Sequence, residues 1–297
     1  MRALFAATLL SCVAVGASGA VTESQHRPVN GRFDVGGRFI RLSCKGAGRP
    51  TVVIDAGLGT APVEDAGWRA IAAQVEPVTR VCLYDRAGIG QSDAAPPGPR
   101  SSLDAARDLH AALLAAQVKG PYLLVGHSIG GLHAQVFAAR YPSDTAGLVL
   151  VSTTHPDQFS TWLTLLPAPA PGEEPAVTEA RSFLTSAQAD PSKNEEHLDM
   201  KASAAAAHQL TSLGAKPVIV LTHSPRFRMV PGLSEPIAVR LEDATQRMQR
   251  HFLSLSSNAH QFVAERAGHG LPHEAPAFVV DGILRGIAAV RGHASRP

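Results

Sequence analysis

Cysteine, aromatic residues and an excess of either charge are all scarce in this chain. Three Cys in 297 residues are too few for a disulfide scaffold or a four-cysteine zinc site. Aromatics make up 5% of the chain, which leaves little for base-stacking platforms. Lys and Arg number 27 against 25 Asp and Glu, a net charge of +2. Neither nucleic acid nor an anionic membrane surface is therefore the expected partner. No segment holds the ~18 consecutive apolar residues of a membrane helix, so no stable membrane span is expected. Paired His ligands at helical spacing, H-E-x-x-H, the P-loop and a G-x-G-x-x-G after a strand are all missing, so no metal and no nucleotide cofactor are expected. What is present is a globular composition, 45% hydrophobic and 18% charged. A chain of this length buries about three quarters of its unfolded surface without help from a metal.

Residues 1–20 read as a secretory signal peptide. Arg2 supplies the positive start, Ala3 to Val15 is apolar apart from Thr8 and Ser11, and Ser18-Gly19-Ala20 is a small-residue cleavage site. A buried N-terminal helix is the plainer alternative. Leu9-Leu10-Ser11-Cys12 is also similar to a lipoprotein box, which would anchor the chain at Cys12. The remainder, 21–297, is expected to be one exported domain, periplasmic or secreted.

Its apolar pattern alternates strand and helix. Phe33, Val35, Phe39, Ile40 and Leu42 flank Gly36-Gly37, which predicts a hairpin. Continuous apolar runs at Val52–Ile54, Arg80–Tyr84, Tyr122–Val125, Ala146–Val151 and Pro217–Leu221 predict buried strands, and Gln261–Ala264 a last one. Helices are expected between them, at Trp68–Val75, after the capping Ser101 and Ser102, at Gly130–Arg140 and at Pro276–Val290. The fold class is α/β, a mostly parallel sheet with helices on both faces. Between Ser152 and Lys216 no buried strand appears. That stretch, about 157–215, is expected to be a helical lid insertion, with Trp162, Leu163, Leu165, Leu166 and Phe183 packing it down or lining an acyl pocket.

Gly126-His127-Ser128-Ile129-Gly130 follows a strand and opens a helix. This G-x-S-x-G in a strand–turn–helix context is a nucleophile elbow, in which small residues let strand and helix close on a strained Ser. The dipole at the helix N-terminus then favours negative charge beside the hydroxyl.

With that motif, the chain from about Phe33 to Val290 resembles the α/β-hydrolase superfamily, serine esterases and lipases in particular. Asp55-Ala56-Gly57-Leu58-Gly59 is similar to the family's oxyanion loop. Tyr84-Asp85-Arg86-Ala87-Gly88-Ile89-Gly90-Gln91-Ser92 is similar to its D-x-R-G-x-G-x-S turn, with Ala87 in place of the first Gly. Ala267-Gly268-His269-Gly270 is similar to its late G-H turn. The resemblance implies an eight-stranded α/β-hydrolase fold with Ser128 as nucleophile and His269 as base. His273 is the nearest competitor, at the start of the final helix. His127 is read as a residue that packs or orients a neighbour, and His155 as one that can line the pocket. The backbone N–H groups of Leu58 and Ile129 are the expected oxyanion donors. Asp85 and Arg86 are expected to brace the Gly-rich turn that follows them.

The acid that should orient the base is less plain. After the strand ending at Leu221, where many relatives carry it, the chain reads Thr222-His223-Ser224-Pro225 and has no acid before Glu235. After the preceding strand Ser152 stands where close relatives favour Asp, and Asp157 is the first acid beyond it. Asp157 is the expected third member; Glu235, Glu242 or Asp243, or no acid at all, are the alternatives. Pro156-Asp157 is equally a way to begin a helix.

These residues imply hydrolysis of a small-molecule carboxylic ester through an acyl-enzyme. An amide or thioester hydrolase or a peptidase would use the same groups. Dehalogenase and epoxide-hydrolase relatives use an Asp nucleophile, and Ser128 speaks against them. A binding protein that keeps the fold without catalysis is the reading from another class. The superfamily's sheet order also makes the strands of Cys44 and Cys82 neighbours, within disulfide reach in an exported chain.

Overall fold

The computed structural model describes residues 27–294. The signal-peptide reading of residues 1–20, with Cys12, lies outside the described residues. Eight strands form one sheet: β1 (Val29–Asp34), β2 (Phe39–Lys45), β3 (Thr51–Asp55), β4 (Val81–Asp85), β5 (Tyr122–His127), β6 (Thr145–Val151), β7 (Val218–Thr222) and β8 (Ala259–Val263). Their spatial order is β1-β2-β4-β3-β5-β6-β7-β8. The pairs β1·β2 and β2·β4 are antiparallel, and every other pair is parallel. This is the α/β-hydrolase fold.

The central strands are apolar on both faces because both faces are covered. Along β3, Val53 points into one core with Ile40, Leu42, Leu109, Leu113 and Phe137. Its neighbours Val52 and Ile54 point into the other, with Trp68, Ile71, Val279 and Ile283. The first face is closed by α2 (Ser102–Ala115) and α3 (Ile129–Arg140), the second by α1 (Ala66–Val75) and the C-terminal α9 (Pro276–Ala294). Ser101 and Asp104 begin α2 as a capping box, with the Ser101 N–H donating to Asp104 Oδ2 at 2.8 Å.

Between β6 and β7 lie α4 (Gln158–Leu165), α5 (Pro175–Ala189) and α6 (Met200–Ala207). A third apolar cluster joins this segment to α7 (Glu235–His251): Trp162, Leu166, Val177 and Leu184 meet Leu241, Ala244 and Met248. Trp162 and Leu166 are thus packing residues, whereas Phe183 is exposed. The sequence pattern did not announce α7. A short helix, α8 (Leu271–Glu274), precedes α9.

Cys44 and Cys82 sit directly opposite each other on β2 and β4 and are joined as a disulfide. Both are fully buried, on the sheet half that does not carry Ser128.

Candidate active site

Ser128 stands between β5 and α3 at φ 53°, ψ −122°, a left-handed conformation that L side chains rarely adopt. The surroundings hold it there. The Ser128 N–H donates to Val151 O at 3.2 Å, and its carbonyl accepts from Thr154 N at 3.0 Å and Gly131 N at 3.1 Å. The flanking glycines are sterically required. A Cβ on Gly126 would come within 2.4 Å of Gly131 Cα, and one on Gly130 within 2.2 Å of Asp55 O. Strand, helix and the loop after β3 therefore converge on one hydroxyl.

His269 meets that hydroxyl from the far end of the chain, with Nε2 3.1 Å from Ser128 Oγ. Its turn is fixed on three sides. Glu274 accepts from the N–H of Gly268 at 2.6 Å and of Gly270 at 3.1 Å. His127 Nε2 donates to the His269 carbonyl at 2.9 Å. Burial, with the neighbouring His127 and His223, lowers the His269 pKa to about 3, so the imidazole is neutral and able to accept a proton at ordinary pH. Burial likewise lowers His127 to about 4, and it serves as a neutral donor. His273 points elsewhere, pairing with Asp65 at 2.9 Å beside the start of α1.

Asp157 does not reach His269, and here the expectation from sequence is corrected. Its carboxylate, half exposed, accepts from His208 at 3.0 Å and lies 3.6 Å from His155. Glu235 is exposed and paired with Arg228 at 2.7 Å, and Asp243 is exposed too. The reason is geometric: Asp157 precedes α4, which leads the chain away from the β6 end into the insertion. The group at His269 Nδ1 is instead the Ser152 hydroxyl, at 2.8 Å. The same Oγ is 2.8 Å from His223 Nδ1, and His223 Nε2 is 2.9 Å from Glu242 Oε1. Three residues, at the ends of β6 and β7 and inside α7, thus run in an unbroken line from the imidazole to a buried carboxylate. Ser152, like Ser128, has a positive φ, 40°.

The loop after β3 passes beside the nucleophile, since a Cβ on Gly57 would lie 3.6 Å from Ser128 Cβ. Arg86 fixes it, donating to Ala56 O and Gly57 O at 2.7 Å each. The guanidinium is held in turn by Asp55 and Glu196, and Glu196 Oε1 accepts from Gly59 N at 3.1 Å. Burial raises the Asp55 pKa to about 6. Burial would also raise Glu196, but the Arg86 charge outweighs it and brings that carboxyl down to about 2. Asp85 does brace the Gly-rich turn, accepting from Gln91 N at 3.2 Å. Arg86 does not; it turns the opposite way, to the loop at 56–59. Leu58 is exposed on that loop, and Ile129 is the first residue of α3, where a helix leaves its N–H groups without intrahelical acceptors.

The alpha/beta hydrolase fold model matches residues 50–224, more than half of the chain, and the protein belongs to that family. The uncharacterized protein YqjL of Bacillus subtilis is 29% identical over 236 residues, covering 79% of this chain and 82% of its own. Of some longer relatives that it also matches, this chain spans only 14%. Among solved structures, a candidate lipase from Acinetobacter baumannii superposes with TM-score 0.58 at 19% identity, over 95% of this chain and 99% of that one. A haloalkane dehalogenase loop variant from Bradyrhizobium elkanii does so with TM-score 0.61 at 18% identity, over 91% and 99%. These structural likenesses define a fold shared by several hydrolytic chemistries. Among the described residues no group of three or more His, Cys, Asp or Glu could hold a metal ion, and no helix is long and apolar enough to cross a membrane.

Proposed function

We propose that this hydrolase is an exported serine esterase that cleaves a small-molecule carboxylic ester through an acyl-enzyme on Ser128. The observation that carries the reading is the Ser128 Oγ to His269 Nε2 contact of 3.1 Å on a strained elbow. His269 takes the hydroxyl proton as Oγ attacks the carbonyl carbon. The negative charge on the carbonyl oxygen faces the N–H groups of Ile129 and Leu58. His269 then returns the proton to the leaving alcohol, and water repeats the sequence to release the acid. An Asp nucleophile, as dehalogenase and epoxide-hydrolase relatives use, has no counterpart at position 128, which favours acyl transfer over those chemistries. The likeness to a candidate lipase agrees with an ester substrate. Export is supported by the N-terminal sequence pattern and by the paired Cys44 and Cys82.

A fluorophosphonate probe tests the reading. The full chain should gain one phosphonyl group, mapping to Ser128, and hydrolyse p-nitrophenyl acetate. Ser128→Ala should do neither while keeping its fold. A folded wild-type chain that is not labelled would instead favour the non-catalytic binding protein.

A further inference from the structure

We propose that Glu242 is the distant acid of this site and acts on His269 through His223 and Ser152, all three being positioning residues for the base. The inference rests on the serine-esterase reading and adds the part that a triad lacks here.

A hydroxyl held between two imidazole nitrogens has a single hydrogen, so Ser152 donates to one ring and accepts from the other. Which way it points is decided by what lies beyond each ring. Beyond His223 is Glu242, whose Oε1 also accepts from Gln246 Nε2 at 2.8 Å. A carboxylate only accepts, so a neutral His223 gives its one proton from Nε2 and leaves Nδ1 bare. Ser152 therefore donates to His223 and accepts from His269. His269 in turn carries its proton on Nδ1 and presents a bare Nε2 to the Ser128 hydroxyl. The reverse chain would place a proton on His269 Nε2 and leave it unable to take one from Ser128. A carboxylate three residues away thus selects the tautomer that a general base needs, as a direct triad acid does.

Burial makes that selection firm. His223 is 0%, Ser152 3% and Glu242 3% exposed, so no bulk water competes for these bonds. The carboxylate is also retained at a cost. Its Oε2 is buried and has no hydrogen-bond partner, an expense that packing alone gives no reason to keep. The strained Ser152, pinned by its N–H to Leu221 O at 2.7 Å, is a second such expense. The charged and titratable groups around the line are His127 beside His269, with ring centroids 5.0 Å apart, and Arg228 on the small cavity that Glu242 also lines. The proton from Ser128 stays on His269 Nε2 until the leaving alcohol takes it; the relay supplies orientation and opposing charge.

The test is a double-mutant cycle on p-nitrophenyl acetate with the full chain. Glu242→Gln should lower kcat by about tenfold or more with KM within about twofold. That is less than the ~10⁴ lost on amidating a direct triad Asp, because two groups intervene. Ser152→Asp puts a carboxylate against His269 itself, so Glu242→Gln should then have little further effect. An equal loss in both backgrounds would make Glu242 a packing residue, and a loss below about twofold in the wild type would also reject the relay. Nitrogen-15 NMR of the wild-type imidazoles gives an answer even if a variant fails to fold. His269 protonated on Nδ1 and His223 on Nε2 support the relay; the opposite pair overturns it. Fluorophosphonate labelling separates the two readings. An unlabelled wild type defeats the esterase and the relay together, whereas a labelled wild type with an indifferent Glu242→Gln defeats the relay alone.

Discussion

Glu196 and Arg86 meet across 110 residues of sequence, with Glu196 Oε1 2.7 Å from the guanidinium that holds the loop beside Ser128. Glu196 belongs to the insertion between β6 and β7, and Arg86 to the turn after β4. Through this pair the insertion is fastened to the candidate oxyanion loop.

Glu196→Gln should therefore be costly in two ways. Both side chains are nearly fully buried, at 3% and 4% exposure. Breaking such a pair by removing one charge costs about 3–5 kcal/mol. It also turns an NH2 group against the Arg86 donors and loosens the loop, so kcat should fall while KM moves less. Denaturant unfolding with parallel p-nitrophenyl acetate kinetics checks both. A variant as stable as the wild type would show that the loop holds without this pair.

Asp157→Asn should leave turnover within about twofold, because its carboxylate serves His208 at the surface and not His269. A direct triad acid would lose about 10⁴ on the same change. Steady-state kcat for the two proteins decides it, and a large loss would return Asp157 to the site in some other conformation of the insertion.

The contrast between Asp157 and Glu242 shows what was legible in the sequence. The elbow, the late Gly-His-Gly turn and the apolar strands are written locally: glycines at fixed offsets, and runs whose length and branching suit a buried sheet. Those elements formed where the pattern put them. The partner of His269 is not local. Ser152, His223 and Glu242 sit at the ends of β6 and β7 and inside α7, and only the packed sheet aligns them. Helix α7 hid its role because its polar stripe, Glu242, Thr245, Gln246 and Gln249, reads as a solvent face. All four are buried, while Ile237, Leu241, Ala244 and Met248 pack the other side. Ser152 at the strand end and the i, i+3, i+4, i+7 spacing of that stripe were the available signals. Arg86 was misdirected for a related reason: sequence proximity suggested the following turn, whereas its side chain crosses to β3.

Cys44 and Cys82, 38 residues apart, close a loop whose cross-link should stabilise the fold by about 3–4 kcal/mol. For a domain of this size that corresponds to roughly 6–16 °C in Tm. Reduction, or Cys44→Ala with Cys82→Ala, should lower Tm accordingly and leave kcat on p-nitrophenyl acetate nearly unchanged, since the bond lies on the other half of the sheet. Alkylation under denaturing conditions without reductant should modify neither residue; modification of both in the isolated protein would mean the thiols are free.

Acid should destabilise this protein well before its carboxylates dominate. Burial is the largest cause lowering the pKa of four histidines: His127 and His155 to about 4, His133 and His269 to about 3. In the unfolded chain each takes up a proton near 6.5, so between pH 6.5 and about 4 the unfolded state binds more protons and stability falls as pH is lowered. Asp55 acts in the opposite sense. Its raised pKa, about 6, lets the folded state hold one more proton between pH 3.8 and 6. Burial raises Asp85 and Asp108 in the same sense as Asp55, so four histidines against these carboxyls leave unfolding with a net uptake of at most about three protons near pH 5, each worth about 1.4 kcal/mol per pH unit. The guanidinium midpoint should therefore drop steadily from pH 7 to 5. His133→Gln should flatten that slope by about one proton, because its ring, bonded to Ser102 Oγ at 2.9 Å, lies in the core on α3 away from Ser128. A midpoint that is constant or rises over this range would mean that the histidines gain their protons without unfolding.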